Sequence, residues 1–274
     1  MKKIILIFFI TITTIIIGKT ESLNNIVSSG ELFYRKGSNT PYTGDATRTH
    51  SNNKSTSVFT YTFKDGKIAQ LLERRDNTAQ RKLTIKDNLI LAEHYYPNGK
   101  VMEAYSMVDY GREGEYKRYY KTGDVYEVGR YSRDMLEGPR KKYFKNGKIM
   151  AEENYKKGIL DGEQRIYNSN GVLVSKISYK NGNLNGSILE YYGNGAKKLE
   201  GKFTNGNGRV KEYYEDGSLL AEKKIEKNVV ITEMKKYNKD KKIIQTIDAK
   251  RNHYTEKNYD DNGKLKNTFD TSKI

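Results

Sequence analysis

Two series of glycines keep one period through most of the chain, and that period constrains the fold more than any other feature. Gly99, Gly123, Gly147, Gly171, Gly195 and Gly217 are separated by 24, 24, 24, 24 and 22 residues, and Gly114, Gly138, Gly162, Gly186 and Gly208 by 24, 24, 24 and 22. A fixed period of this size marks a stack of supersecondary units, each burying its apolar face against its neighbours. Other positions keep the same frame. Four and three residues before each glycine of the first series stands an aromatic pair: Tyr95-Tyr96, Tyr119-Tyr120, Tyr143-Phe144, Tyr191-Tyr192 and Tyr213-Tyr214, reduced to Tyr167-Asn168 in the fourth unit. Two residues after the glycine comes Val101, Val125, Ile149, Leu173 or Leu219, with Lys197 as the departure. Eight after it comes Met107, Tyr131, Tyr155, Tyr179, Phe203 or Ile225. The unit containing Gly206 lacks two residues, which accounts for the spacing of 22.

The local chemistry reads as hairpins. Asn98-Gly99, Asn146-Gly147, Asn170-Gly171, Asn194-Gly195 and Asp216-Gly217 each lie between β-favouring runs. Such dipeptides supply the pair of positive-φ residues that a two-residue hairpin turn requires. The second glycine cluster, as in Lys157-Gly158 and Asn181-Gly182, returns the chain to the next hairpin. Strands are expected near 115–120 and 125–131. Alternation along a strand sends the two aromatics of a pair to opposite faces, and stacked units align them into cross-strand ladders. The fold expected is all-β: an elongated, antiparallel, single-sheet array of tandem ~24-residue hairpins.

Composition removes several alternatives. The 274 residues contain no Cys, so disulfide frameworks, thiol nucleophiles and Cys metal sites are excluded, and the wide separation of the three His (His50, His94 and His253) argues against a His metal cluster. A hydrophobic fraction of 35% is too low for a polytopic membrane protein. The 23 tyrosines set the chain apart from disordered basic chains, which are poor in aromatics. At the N-terminus, Lys2 and Lys3 precede an uncharged run over 4–17. That run has the length of a signal-peptide core and falls short of the ~20 residues that span a bilayer. Gly18 and Ser22 are the small residues at which a peptidase could cut. The chain thus divides into a signal peptide or signal anchor over 1–22, an N-terminal β lead-in or cap over 23–94, regular repeats over 95–228, and eroded C-terminal repeats over 229–274.

The pattern Tyr-Tyr-x-x-Gly-x-Val, followed by Tyr-x-x-Gly-x-Leu-x-Gly as in Tyr179-Lys180-Asn181-Gly182-Asn183-Leu184-Asn185-Gly186, resembles the MORN repeat in its bacterial variant. That is the form found in YwqK-type antitoxin-like proteins. The likeness covers 95–228. The segment Tyr237 to Phe269, with Asp261-Asn262-Gly263-Lys264-Leu265, looks like one or two worn units, Gly263 lying 46 residues after Gly217, and Pro41-Tyr42-Thr43-Gly44 resembles the family's lead-in. The resemblance implies a hairpin sheet with an aromatic-lined face, used for membrane-proximal scaffolding or protein binding, and it carries over no catalytic residue.

No catalytic, cofactor or metal site is expected from the residues themselves. There is no Gly-x-Ser-x-Gly elbow and no phosphate-binding loop. Asn258-x-Asp260-x-Asn262-Gly263 opens like a calcium loop, but its twelfth position is Phe269 where a bidentate Glu belongs. Glu152 and Glu153 are neighbours on a strand and face opposite sides, so they make no acid/base pair. The formal net charge of +16 is spread along the chain. It suits a protein partner or an anionic envelope surface, either lipid head groups or a cell-wall polymer. Nucleic acid is disfavoured by the export segment. The candidate contact residues are Tyr95, Tyr96, Tyr119, Tyr120, Tyr143, Phe144, Tyr167, Tyr191, Tyr192, Tyr213 and Tyr214, on turns built by Gly99, Gly123, Gly147, Gly171, Gly195 and Gly217. The function expected is that of an exported, non-enzymatic binding or scaffold protein of the cell envelope or surface, with membrane association through residues 1–18 if the signal stays uncleaved. The alternatives are an antitoxin-like inhibitor and a host-cell adhesion or invasion factor.

Overall fold

The structure is a computed structural model that describes residues 20–228, 230–250 and 253–271. The charged and apolar run read as an export signal lies outside the described residues. The described residues are almost entirely β-strand, and their one helical element is the 3-10 turn Leu23–Asn25. The chain forms two compact units, one ending at Lys86 and the other starting at Asp87.

The first unit contains β1 (Glu21–Ser22), β2 (Ile26–Ser29), β3 (Leu32–Arg35), β4 (Gly44–Ser51), β5 (Thr56–Lys64), β6 (Lys67–Arg75) and β7 (Thr78–Lys86). Strands β4 to β7 pair antiparallel in chain order. β1 runs parallel to β4, so the expectation of a purely antiparallel sheet fails at this one pairing. The β2–β3 hairpin forms a separate two-stranded sheet. It supplies Ile26 and Phe33 to a cluster around the buried Tyr42, Ala46 and Phe63, with the Phe33 and Phe63 rings 5.2 Å apart. The lead-in therefore has an apolar core of its own.

The second unit is an antiparallel meander. It starts with β8 (Leu89–Tyr95), β9 (Val101–Val108), β10 (Gly111–Tyr119) and β11 (Val125–Ser132) and continues in the same alternation to Leu265–Asp270. Two turn types alternate along it, and they exchange the roles read from the sequence. At the Asn-Gly turns only the glycine has positive φ, as at Gly99 (φ 78). There Gly99 N–H donates to Tyr96 O at 2.9 Å, and Tyr96 N–H donates to Lys100 O at 2.8 Å. This is a three-residue loop closed by a glycine bulge, not the two-residue turn expected. The two-residue turns with paired positive φ are the return turns, such as Lys157-Gly158 (50 and 78) and Asn181-Gly182 (49 and 77).

The return side also carries a two-residue bulge. Tyr131 stands opposite Leu136, while Val128 stands opposite Lys141, so the second strand holds two extra residues between the same rungs. In the short unit Phe203 stands opposite Gly208 and Glu200 opposite Lys211, with nothing extra. The missing pair of residues is thus the bulge, and the strand register survives its loss. The frame continues beyond the regular glycines. Lys241, at φ 62, occupies the glycine seat between Gly217 and Gly263, so the C-terminal segment contributes two units.

Cross-strand pairing sorts the side chains of the second unit onto two faces. Its buried residues, Ala92, Tyr116, Glu127, Tyr131, Ala151, Ser175, Phe203, Val210 and Ala221, all fall on one of them. That face is closed over by its own long side chains: the Arg112 guanidinium lies 4.1 Å from the Tyr131 ring centroid, and that of Arg140 lies 4.8 Å from Tyr155. Small residues make room for large ones opposite them. A Cβ on Gly129 would lie 2.7 Å from the Tyr116 ring.

Candidate binding face

The predicted aromatic pairs separate into two rows with different work. The second member of each pair lies past the strand end, at the turn. Its hydroxyl donates to a backbone carbonyl of the next unit: Tyr96 to Tyr119 O, Tyr120 to Tyr143 O and Tyr192 to Tyr213 O, each at 2.7 Å, and Tyr214 to Tyr237 O at 3.1 Å. Phe144 has no hydroxyl to give. Asn168 turns inward, its side-chain oxygen accepting from Asn170 N–H and Val172 N–H. The turn residues add further bonds in the same direction, from Asn98 Nδ2 to Lys121 O and from Asn146 Nδ2 to Ser169 O, both 2.9 Å. This row stitches turn to turn.

The first members, Tyr95, Tyr119, Tyr143, Tyr167, Tyr191 and Tyr213, form the other row, and the frame extends it to Tyr237 and Tyr259. All eight are half-buried. They lie on the face opposite the buried residues, where the hydroxyls of Tyr167, Tyr213 and Tyr237 donate to the carboxylates of Glu152 (3.0 Å), Glu200 (2.5 Å) and Glu222 (3.1 Å) on the preceding strand. The bond to Glu200, together with burial, pushes the Tyr213 hydroxyl up to about 12. Burial raises Tyr167 and Tyr237 as well, with the neighbouring carboxylate adding to it. Sequence reading missed Tyr237 and Tyr259 because Lys241 hides the glycine that would have numbered their units.

Two residues before each of these tyrosines, on the same face, stands a second series: Glu93 first, then Lys117, Lys141, Arg165, Leu189, Lys211, Lys235 and Lys257. Register joins it to the strands between. Lys117 stands opposite Val128, Val128 opposite Lys141, Lys141 opposite Glu152 and Glu152 opposite Arg165. Further on, Glu200 pairs with Lys211, Lys211 with Glu222, Glu222 with Lys235, Lys235 with Thr246 and Thr246 with Lys257. Ion pairs lie along this ladder at 2.9 Å for Lys141–Glu152 and 3.6 Å for Lys211–Glu222. Lys141, aided by Tyr167 and Arg165, holds the Glu152 carboxyl below its usual range. The periodic cation escaped sequence reading because the chain is basic throughout, and one lysine per period is visible only once the register is known.

The buried face holds a polar cluster of its own. The Tyr116 hydroxyl donates to Glu127 at 2.5 Å, and Glu127 is only 2% exposed. Arg118 and Arg140 approach the same carboxylate at 3.7 and 4.0 Å, and Arg140 also donates to Glu153 at 2.6 Å. Each group has its partners, so the cluster works as internal glue. Glu152 and Glu153 do face opposite sides, bound to Lys141 and Arg140. In the loop that opens like a calcium site, Asp260 accepts from Asn262 N–H and Lys264 N–H and closes the repeat turn.

Two concave stretches of about 630 and 500 Å³ lie toward the C-terminal end of the lysine–tyrosine face. Lys235, Thr246, Lys257 and Tyr259 line the larger, and Leu189, Glu200 and Lys211 line the smaller; Arg209 and Glu222 belong to both. No curated protein matches the chain. The family model described as MORN repeat variant matches residues 90–109, 112–132, 136–157, 160–181 and 207–224, so five segments, all in the second unit, are similar to that family.

Proposed function

We propose that this protein is an exported, non-enzymatic binding module of the cell envelope or surface, whose repeats present one continuous face to a protein or anionic partner. The observation that carries this reading is the division of labour in the second unit: one face and the turn row hold the sheet together, while the other sets a cation beside the half-buried tyrosine in six of its eight units. Repetition without a catalytic constellation suits contact over area. Likeness to MORN repeats supports a repeat-based binding module. Export rests on Lys2, Lys3 and the uncharged run over 4–17.

The test is cell fractionation with an intact mass of the native protein. β1 narrows the expected cut. Glu21 pairs with Ala46 in the sheet and bonds Arg35 at 2.9 Å, so cleavage after Gly18 leaves the first unit whole, whereas cleavage after Ser22 removes a strand. The expected result is a chain lacking residues 1–18 outside the cytoplasm, or the full chain in the membrane if the signal stays as an anchor. Full-length protein in the cytosol would sink the reading and favour a cytoplasmic inhibitor.

A further inference from the structure

We infer that the lysine–tyrosine face of the second unit is a groove for a linear anionic polysaccharide that runs across the strands and carries one charge on every second sugar. This rests on the reading of the chain as an exported binding module and names the ligand class of that face.

Spacing is the first ground. Like positions in consecutive units are two strands apart, and neighbouring strands lie about 4.8 Å apart, so Lys211, Lys235 and Lys257 repeat at roughly 9.6 Å. That is about the length of an extended disaccharide. Phosphates on one strand of duplex DNA come about every 3.4 Å of helix axis and would leave most of their charges between lysines.

Lining is the second ground. The two stretches of groove alternate cations with carboxylates and hydroxyls: Lys211, Glu222, Lys235, Thr246 and Lys257 follow one another rung by rung. A densely charged polymer would meet Glu200, Glu222 and Glu233 as repulsion. A hydroxyl-rich polymer with spaced charges meets them as hydrogen-bond acceptors, and the half-buried Tyr259 in the larger stretch offers ring surface to a sugar face. The third ground is that, among the described residues, Lys235 and Lys257 have no carboxylate within ion-pairing distance, while Lys211 holds Glu222 only at 3.6 Å. These cations are available to an incoming anion.

The probe is hyaluronan, which alternates a uronic acid with a neutral amino sugar, titrated onto the full protein in fractions of increasing length and compared with uncharged dextran and with polyphosphate. Binding is expected to strengthen steeply up to about three disaccharides, as successive lysines engage one chain. Dextran is expected to bind at least about tenfold more weakly. The variant Lys211→Ala/Lys235→Ala/Lys257→Ala should lose about tenfold or more in affinity. A control with the same charge change at the turns, Lys121→Ala/Lys145→Ala/Lys239→Ala, should lose less than about threefold, because screened charges off the groove contribute little. Both variants change exposed or part-exposed lysines, and their thermal unfolding checks that the sheet is kept. Polyphosphate binding more tightly than hyaluronan, or equal losses in the two variants, would mean unspecific attraction to a basic protein and would overturn the inference. So would exported protein that ignores hyaluronan of every length, an outcome that leaves the export reading intact.

Discussion

At the residue scale, a hydroxyl on the second aromatic of a pair separates a stitched unit from an unstitched one. Tyr96, Tyr120, Tyr192 and Tyr214 each reach the backbone of the next unit, while Phe144 occupies the same seat and cannot. A hydrogen bond of this kind contributes about 0.5–1.5 kcal/mol net, and losing its donor leaves a carbonyl short of a partner. Tyr120→Phe is expected to lower stability by about 1 kcal/mol, and Phe144→Tyr to raise it by a similar amount through a new bond to the carbonyl of Tyr167. Denaturant unfolding of the two variants checks the pair of signs. If Tyr120→Phe is neutral and Phe144→Tyr destabilises, the rings act by packing alone and the stitching account fails.

At the element scale, the unit exists in two lengths that share one register. The longer carries the return-side bulge, as at Leu160-Asp161-Gly162, where Gly162 has φ 127. The shorter runs straight through Gly208, whose Cβ would collide with Lys202 O and the Phe203 ring. Deleting Leu160 and Asp161 joins Ile159 to Gly162 and reproduces the Asn207-Gly208 arrangement. The stacking bond has a ready substitute: Gly182 N–H donates to Leu160 O at 2.8 Å in the long unit, and Asn228 N–H donates to the turn carbonyl of Gly206 at 2.8 Å after the short one. The deletion variant should keep its β circular dichroism and unfold cooperatively, about 1–3 kcal/mol less stable for the lost leucine contacts. Collapse to an unfolded or aggregated chain would show that the bulge sets the register.

The two lengths also show how far the sequence could be read. The period, the strands near 115–120 and 125–131, and the all-β class were legible because glycine and aromatic spacing report backbone geometry directly. Turn type was not, since Asn-Gly suits both a two-residue turn and a glycine bulge, and the choice depends on how the next unit stacks. Of the predicted contact row, the sequence supplied the residues but not their division into a stitching row and a face row. That division depends on which side of the strand end each ring leaves. Lys241 left the C-terminal count open between one unit and two, because a lysine there adopts φ 62, a conformation that glycine ordinarily takes.

At the scale of the whole molecule, stability hangs on many tyrosines held in one protonation state. Burial, often with a neighbouring carboxylate, raises the hydroxyls of Tyr42, Tyr119, Tyr167, Tyr179 and Tyr237 above the ordinary value near 10. Tyr155 and Tyr213 are pushed to about 12, by burial first for Tyr155 and by the Glu200 hydrogen bond first for Tyr213. A group whose pKa is higher folded than unfolded contributes stability that is complete below the unfolded value and is lost as pH rises through the folded one. The fold should therefore be steady up to pH 10 and weaken steeply from there toward 12. Because repeat stability sums over neighbouring units, ionising a few face tyrosines should loosen the whole second unit and expose the rest, so tyrosinate absorbance and loss of β circular dichroism should rise together in one sharp transition. On the acid side the sign reverses. Glu152 and Glu233 are held down by their hydrogen bonds to Lys141 and Arg209, and Asp216 is held at about 2 by Ser218. Their contribution is present above about pH 4.5 and fades as pH falls through the lowered values. These carboxylates are partly exposed and screened by solvent, so the acid limb should be the shallower of the two. Raised tyrosines that titrate smoothly near 10 while the β signal stays intact would show that their carboxylate bonds add nothing to the fold, and the tyrosine–carboxylate face would lose its energetic basis.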